Sequence, residues 1–273
     1  MSAATRITDA APARLRNRFG RLAQQWTVFF ACVLGWQLAT VSAQSLFFPT
    51  PLEIGTRMWS NWFSGPAGQV FLTDAAFADI FPSVGRLLLG WLLAAVVGVT
   101  VGLLLGRSHN AMAYCGPLLS FARSIPPPAL VPVFLVLFSI GFRMQLATII
   151  FGSIWPVLLN SADGARAVDT TKAETARAFR IPRGQWLRAI VLPTALPKIF
   201  AGLRISLSLA LIMMVISELV GATNGIGHTM TLAQFRFDYT QLWAGIVLLG
   251  VLGYALNAAL QTIEKRVLHA FPQ

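Results

Sequence analysis

The stretch Val84–Gly106, which reads VGRLLLGWLLAAVVGVTVGLLLG, decides the fold class of this chain. Arg86 is its one charged residue, and its length exceeds the about 20 apolar residues that a helix needs to cross a bilayer core. Five other apolar stretches are candidate spans of the same kind: Trp26–Phe48, Leu118–Ile140, Met144–Asn160, Ile199–Gly221 and Leu242–Ile263. We therefore predict an all-α membrane protein with about six transmembrane helices.

The composition of the whole chain supports this prediction. Its 273 residues are 56% hydrophobic and 11% charged, and the mean hydropathy is +0.66. A soluble domain carries about 25% charged residues to cover its surface, so most of this surface must face lipid. The two cysteines, Cys32 and Cys115, and the three isolated histidines have no metal-ligand or redox spacing. No metal site and no cofactor box are predicted.

The distribution of charge predicts one membrane domain and its orientation. The apolar runs recur without a long polar interval, which gives a membrane domain over residues 22–268 between tails at 1–21 and 269–273. Positive residues concentrate in the N-terminal tail, in the 161–198 loop and near the C-terminal end, all on one side of six spans. That side, with both termini, is predicted to be cytoplasmic. Because the basic residues of this +11 chain lie between apolar runs, no nucleic-acid partner is expected.

Two of the candidate spans have a second interpretation. Residues 22–52 carry no charge, which favours a retained first helix over a cleaved signal. The third span contains Pro126, Pro127, Pro128 and Pro132, and proline removes backbone donors. A break there predicts either a broken helix beside a cavity or a surface helix followed by a shortened span. Both alternatives stay open.

The 161–198 loop is predicted to form two short helices outside the membrane. The first is Thr170–Phe179, with Thr170 or Thr171 as its N-cap. The segment Ile181–Gly184 contains proline and glycine and breaks the chain. The second helix is Gln185–Leu192, which Pro193 is expected to end.

The residues of this loop resemble a known motif. Glu174-Thr175-Ala176, Arg180, Ile190 and Leu192-Pro193 have the spacing of the EAA motif of ABC-importer permeases, E-A-A-x3-G-x9-I-x-L-P. Thr175 stands where the motif has its second residue, alanine, and Arg180 stands where it has glycine. Other segments resemble the nitrate/sulfonate/taurine branch of these permeases, over roughly residues 45–268: 48–53, 83–90, 123–127, 155–160, 192–197, 201–204, 218–222 and 225–227.

The resemblance implies a type I ABC-importer permease fold with a cytoplasmic coupling-helix loop, in the bacterial plasma membrane. It also implies a homodimer of this subunit in membrane lipid, two ATPase subunits that bind ATP and Mg, and an extracytoplasmic solute-binding protein. The transported solute is expected to be small and anionic, like a sulfonate, taurine or nitrate. The chain has no phosphate-binding G-x4-G-K-[ST] loop, so it is not expected to hydrolyse ATP. A partner-independent secondary transporter or channel is the alternative.

The resemblance assigns ATPase coupling to one set of residues. Glu174 is expected to be a charge-assisted anchor, and Phe179 is expected to fill a pocket of the ATPase. At Arg180 three outcomes remain open: a left-handed residue that costs about 1 kcal/mol, a reshaped turn, or an added contact with an acidic patch of the ATPase. The full set is Glu174, Thr175, Ala176, Phe179, Arg180, Ile190 and Pro193.

A second set of residues forms the predicted translocation pathway. Glu218 lies near the outer end of the fifth span, where pairing with an arginine or capping backbone near Gly221–Gly227 is favoured over substrate contact. Gly98 and Gly102 are predicted to be a helix-packing pair and not part of a site. The pathway candidates are Ser124, Pro126, Trp155, Asn160, Ser217 and Glu218.

Overall fold

A computed structural model describes residues 10–270 of the chain, with side chains from residue 26 onward except that of Thr170. The described residues form helices joined by short connections and contain no strand. In chain order the α-helices are α1 (Ala10–Ala43), α2 (Pro51–Met58), α3 (Asp74–Arg107), α4 (His109–Ser124), α5 (Val131–Phe138), α6 (Phe142–Arg166), α7 (Thr170–Ala178), α8 (Arg183–Trp186), α9 (Leu192–Gly221), α10 (Ile226–Phe235) and α11 (Tyr239–Ala270).

The predicted number of spans agrees with this architecture. The apolar parts of α1, α3, α6, α9 and α11 are each long enough to cross a membrane. The helix α4 and the segment Pro127–Phe138, bent by 81° relative to each other, make a sixth span if they count as one. The predicted tails at 1–21 and 269–273 lie partly outside the described residues, and α1 already begins at Ala10. The domain limits therefore stay predictions.

The core of the molecule is a packed group of three helices, with α6 between α3 and α9. The close approach of α3 to α6 depends on glycines, as predicted for Gly98 and Gly102. A Cβ atom at Gly102 would lie 2.4 Å from the carbonyl oxygen of Leu158, and one at Gly98 would lie 3.0 Å from the Cβ of Val157. Gly106 extends this contact by one more turn, since its Cβ would lie 2.3 Å from the Ala162 carbonyl oxygen. Small residues thus bring the two backbones together.

The third candidate span is interrupted at its prolines, and both predicted alternatives, a broken helix and a surface helix followed by a shortened span, stay open. Ile125 follows α4 in an extended conformation, and Pro127–Leu130 forms a 3-10 turn before α5 begins. The consecutive prolines have no backbone N–H to continue the ladder of α4, and each disfavours a helical conformation in the residue before it. A Cβ atom at Gly152 would lie 3.5 Å from the Cβ of Pro127, so the break packs against α6.

The loop between α6 and α9 differs from its prediction at three points. The helix α6 continues to Arg166, so the connection to Arg183 is shorter than the predicted 161–198 segment. Asp169 is the N-cap of α7, with its carboxylate accepting the Thr171 N–H at 2.9 Å; the prediction of Thr170 or Thr171 was wrong. A carboxylate next to the first helical residue competes well for this position.

The third difference concerns the helix predicted over Gln185–Leu192. It is not separate, because α8, a π-helical turn at Leu187–Val191 and α9 form one helical segment, Arg183–Gly221. Pro193 does not end it. The Leu192 N–H bonds back five residues to the Leu187 carbonyl, and the Thr194 hydroxyl donates to the Ile190 carbonyl at 2.7 Å. A π turn and a hydroxyl donor thus supply bonds next to the missing N–H of the proline.

Candidate functional site

The short helix α7 presents two different faces. Ala176 is 7% exposed and Ala173 is half-buried, so this face turns toward the membrane helices. Glu174 and Thr175 lie on the exposed side of the helix. Phe179, which follows the last residue of α7, is 78% exposed. An exposed carboxylate and an exposed aromatic ring are therefore available, on and next to the outer side of α7, to a partner protein.

Thr175 is compatible with a position where the motif has alanine. Its hydroxyl donates to the Thr171 carbonyl at 2.8 Å, one turn earlier in α7. The polar group is thereby satisfied within the helix, so the side chain does not require a hydrogen-bond partner from outside. The substitution adds little more than a methyl group to this surface.

Arg180 keeps the left-handed conformation that the motif's glycine suggested, with φ +52°. The Ile181 N–H donates to the Ala176 carbonyl at 2.9 Å, and the Arg180 N–H donates to the Arg177 carbonyl at 3.0 Å. This pair of bonds is the Schellman arrangement, which normally has glycine at the left-handed position. Of the three outcomes left open, the turn is retained and not reshaped. The remaining motif residues, Ile190 and Pro193, lie beyond it, half-buried in the helical segment that leads into α9.

Glu218 is the centre of a buried polar network at the end of α9. Arg86 Nη1 donates to Glu218 Oε1 at 2.6 Å, and the Ser83 hydroxyl lies 2.8 and 2.9 Å from the two carboxylate oxygens. The Gly227 N–H donates to Oε2 at 2.9 Å. The Glu218 side chain is fully buried and that of Arg86 is 8% exposed. The arginine partner and the backbone donor favoured by the sequence are therefore both present.

This network holds the loop after α9 against α3. Arg86 also donates to the carbonyl and side-chain oxygens of Asn224, and the Ile226 N–H donates to the Ser83 hydroxyl at 2.9 Å. Gly225 has φ +115°, and a Cβ atom there would lie 2.7 Å from the Glu218 carboxylate. The hydrogen-bonding groups of this network satisfy one another, so neither the buried carboxylate of Glu218 nor the buried guanidinium of Arg86 is left unpaired.

The other pathway candidates occupy different environments. Ser124 and Pro126 are exposed at the break after α4, while Trp155 and Asn160 are half-buried on α6. Ser217 is fully buried, with its hydroxyl donating to the Met214 carbonyl at 2.8 Å. The pathway assignment stays a prediction.

Sequence reasoning missed one further buried carboxylate, Asp79. The Trp62 Nε1 donates to its Oδ2 at 3.0 Å, and the Thr229 hydroxyl donates to its Oδ1 at 2.7 Å. This residue therefore ties the segment before α3 to α10. An acidic residue inside the mostly apolar run that precedes Val84 was the available signal.

Comparison with known proteins agrees with this arrangement. Residues 94–269 match the family model described as binding-protein-dependent transport system inner membrane component. The putative aliphatic sulfonates transport permease protein of Bacillus subtilis (strain 168) is 30% identical over 85% of this chain and 82% of its own length. The taurine transport system permease protein of Escherichia coli (strain K12) is 28% identical over 85% and 83% of the two chains.

A solved structure shares the fold. An inward-facing crystal form of the MetNI methionine ABC transporter contains a chain that matches 73% of this one and 97% of its own length, with a TM-score of 0.61 and 20% identity. The type I ABC-importer permease fold predicted from the sequence is thereby confirmed. The matching family consists of transport components and not of catalytic subunits. The chain belongs to the family of binding-protein-dependent transport system inner membrane components and is a multi-pass permease subunit of an ABC importer.

Proposed function

We propose that this permease couples to its ATPase through the exposed side of α7 and imports a small anionic solute. The observation that supports the coupling role is the pair of Glu174 and Phe179, which are exposed on or next to a helix whose opposite side carries the buried Ala176. Glu174 offers a charged hydrogen-bond acceptor, and Phe179 offers an apolar anchor for a pocket. Movement of the ATPase pair would then displace α7 together with the helices it joins.

The proposed assembly contains two copies of this permease, a dimer of ATPase subunits and an extracytoplasmic solute-binding protein. ATP and Mg are bound by the ATPase partner, and this chain needs no cofactor of its own. Apolar residues exposed on α4 and α5, such as Phe121 and Val136, are available for lipid or for the second permease. The bacterial plasma membrane is the proposed location, with both termini cytoplasmic.

The proposed solute carries a sulfonate-like or nitrate-like group. The support for this class comes from the names of the relatives, of which one is a putative permease for aliphatic sulfonates and the other a taurine permease. We expect uptake of such a solute into proteoliposomes to require the ATPase, ATP and the binding protein together. Uptake by the permease alone would instead indicate the alternative, a partner-independent secondary transporter or channel.

The substitution Glu174→Arg tests the coupling role. It reverses the charge on the exposed side of α7 without touching the buried Ala176. We expect normal membrane insertion of the variant but loss of the ATPase from the purified complex, because a buried charge-assisted contact is replaced by repulsion. Gln69→Arg, which adds an arginine at an exposed position before α3, is the matched control and should retain the ATPase. Unchanged co-purification of the Glu174→Arg variant would refute docking through this residue.

A further inference from the structure

Four arginines surround a cleft between α7 and the membrane helices. The cleft has a volume of about 310 Å³, near the lower end of the roughly 300–1,000 Å³ range of ligand sites. Its charged lining residues all have the same sign: Arg107 at the end of α3, Arg177 and Arg180 on α7 and its turn, and Arg183 at the start of α8. Ile181 and Trp186 supply its apolar wall.

These guanidinium groups have no acidic partner in the part of the chain whose side chains are described. The ion pairs found there are formed by Arg57, Arg86, Arg166 and Arg204. Arg107 instead lies over the ring of Trp186, with its Cζ 5.5 Å from the ring centroid. Such stacking holds a guanidinium in place while leaving its N–H donors free. The cleft is therefore a concentration of positive charge that an anion can neutralise.

The side of α7 that carries these arginines is opposite the side proposed to meet the ATPase. Ala176 and Arg177 lie three and four residues after Ala173, so the three share one side of α7, and they line the cleft together with Arg180. Thr171, Thr175 and Ala178 form the opposite side, next to Glu174. A ligand in the cleft would lie between α7 and the helix ends. It would therefore be on the membrane side of α7, and the ATPase is proposed to bind the other side.

We propose that this cleft binds a phosphate group and that the phosphate belongs to the headgroup of an anionic phospholipid in the cytoplasmic leaflet. Arg107 is the last residue of α3 and directly follows the predicted span Val84–Gly106, so the cleft that it lines begins at the end of a membrane helix, where headgroups lie. Arginine donates in pairs to phosphate oxygens, and basic pockets between membrane helices on the cytoplasmic side are suited to anionic headgroups. The Trp186 ring supplies an amphipathic contact at the same depth. The inference rests on the proposed orientation, but not on the identity of the solute.

The test compares lipid retention by the purified permease–ATPase complex in nanodiscs. Phosphatidylglycerol in a phosphatidylcholine background is the probe, and lipid bound to the complex is measured by native mass spectrometry after detergent release. The wild-type complex should retain phosphatidylglycerol in preference to phosphatidylcholine. The double variant Arg107→Gln/Arg183→Gln should bind it roughly 25-fold more weakly, since each removed arginine contributes about fivefold. Arg143→Gln and Arg236→Gln, exposed arginines outside the cleft, are the controls and should bind normally.

Further variants and ligands separate the outcomes. Arg107→Lys/Arg183→Lys keeps the charge and should bind with intermediate strength, while the unfolding temperature in pure phosphatidylcholine shows that each variant is folded. Equal retention by the wild-type and the glutamine variant overturns the proposal. If millimolar inorganic phosphate raises the unfolding temperature of the complex as much as phosphatidylglycerol does, that result overturns the lipid as the source of the bound phosphate group. Loss of the ATPase with unchanged lipid retention assigns the cleft to the ATPase and also overturns it. The measured quantity here is bound lipid, whereas the Glu174→Arg experiment measures retained ATPase, so either proposal can fail while the other holds.

Discussion

Arg180 occupies a backbone conformation that costs an L-residue free energy and glycine almost none. With φ +52° and both Schellman bonds formed, Arg180→Gly should stabilise the turn by about 1 kcal/mol. We expect the amides of Arg180 and Ile181 to exchange with solvent about fivefold more slowly in this variant, measured by hydrogen exchange. Arg180→Ala removes the charge but keeps the Cβ atom, so it should give no such protection. Equal protection in both variants would show that the charge, and not the backbone, strains the turn.

Removal of one partner of the buried Arg86–Glu218 pair should destabilise the protein strongly, because it leaves the other charge buried without a partner. Glu218→Gln leaves the guanidinium without its counter-charge, and we expect a loss of about 3 kcal/mol in the free energy of unfolding. The double variant Arg86→Gln/Glu218→Gln should lose less than the sum of the two single variants. Denaturant unfolding of all four proteins in detergent measures this coupling. Strict additivity would mean that the two side chains do not depend on each other.

Part of the structure at the Arg180 turn and at the Arg86–Glu218 pair was predictable from the sequence. The glycine position in the motif indicated a left-handed residue at Arg180, because backbone conformation at a turn is encoded locally. The preference for an arginine or backbone partner at Glu218 also held. The particular side-chain partners, Ser83 and Arg86, lie 135 and 132 residues away, and only the packing of α3 against α9 brings them to Glu218. No local pattern specifies contacts at such separations.

Among the helices, the contact of α3 with α6 is the most sensitive to side-chain size. Gly102→Ala places a methyl group 2.4 Å from the backbone oxygen of Leu158, which cannot move independently of α6. We expect a loss of about 2 kcal/mol of stability from this overpacking, seen as a lower unfolding temperature. Gly85→Ala, on the same helix with nothing within 4 Å of the added atom, should be neutral or stabilising. Equal destabilisation by the two substitutions would argue against close packing as the cause.

The helices themselves were predictable to different degrees. The long apolar runs identified the spans, and the row of prolines identified the break after α4, because both signals are local. The helix expected over Gln185–Leu192 was wrong as a separate element, since Pro193 is accommodated by the preceding π turn and the Thr194 hydroxyl. Proline disfavours a helix interior by roughly 3 kcal/mol, but neighbouring packing and substitute donors offset that cost in a membrane helix.

The orientation of the whole molecule is testable with single cysteines. After replacement of Cys32 and Cys115 by serine, Thr175→Cys and Gln69→Cys place reporters at exposed positions in α7 and before α3. We expect a membrane-impermeant maleimide to label Gln69→Cys in intact cells and Thr175→Cys only after permeabilisation, because positive loops stay cytoplasmic. The reverse pattern of labelling would invert the proposed topology.

The continuous helical segment Arg183–Gly221 connects the loop that carries α7 to the buried pair at Glu218. Near its middle, the Ser206 hydroxyl donates to the Ser153 carbonyl of α6 at 2.6 Å, and we take this contact as the pivot for a rigid tilt of the segment. At 1.5 Å per residue, about 35 Å separates this pivot from Arg183 and about 18 Å separates it from Glu218. In a rigid tilt about this point, a displacement of about 4 Å at the cytoplasmic end would move the carboxylate by roughly 2 Å in the opposite direction. A displacement of that size, directed away from Arg86, would lengthen the 2.6 Å Arg86–Glu218 contact beyond hydrogen-bond distance and separate the pair.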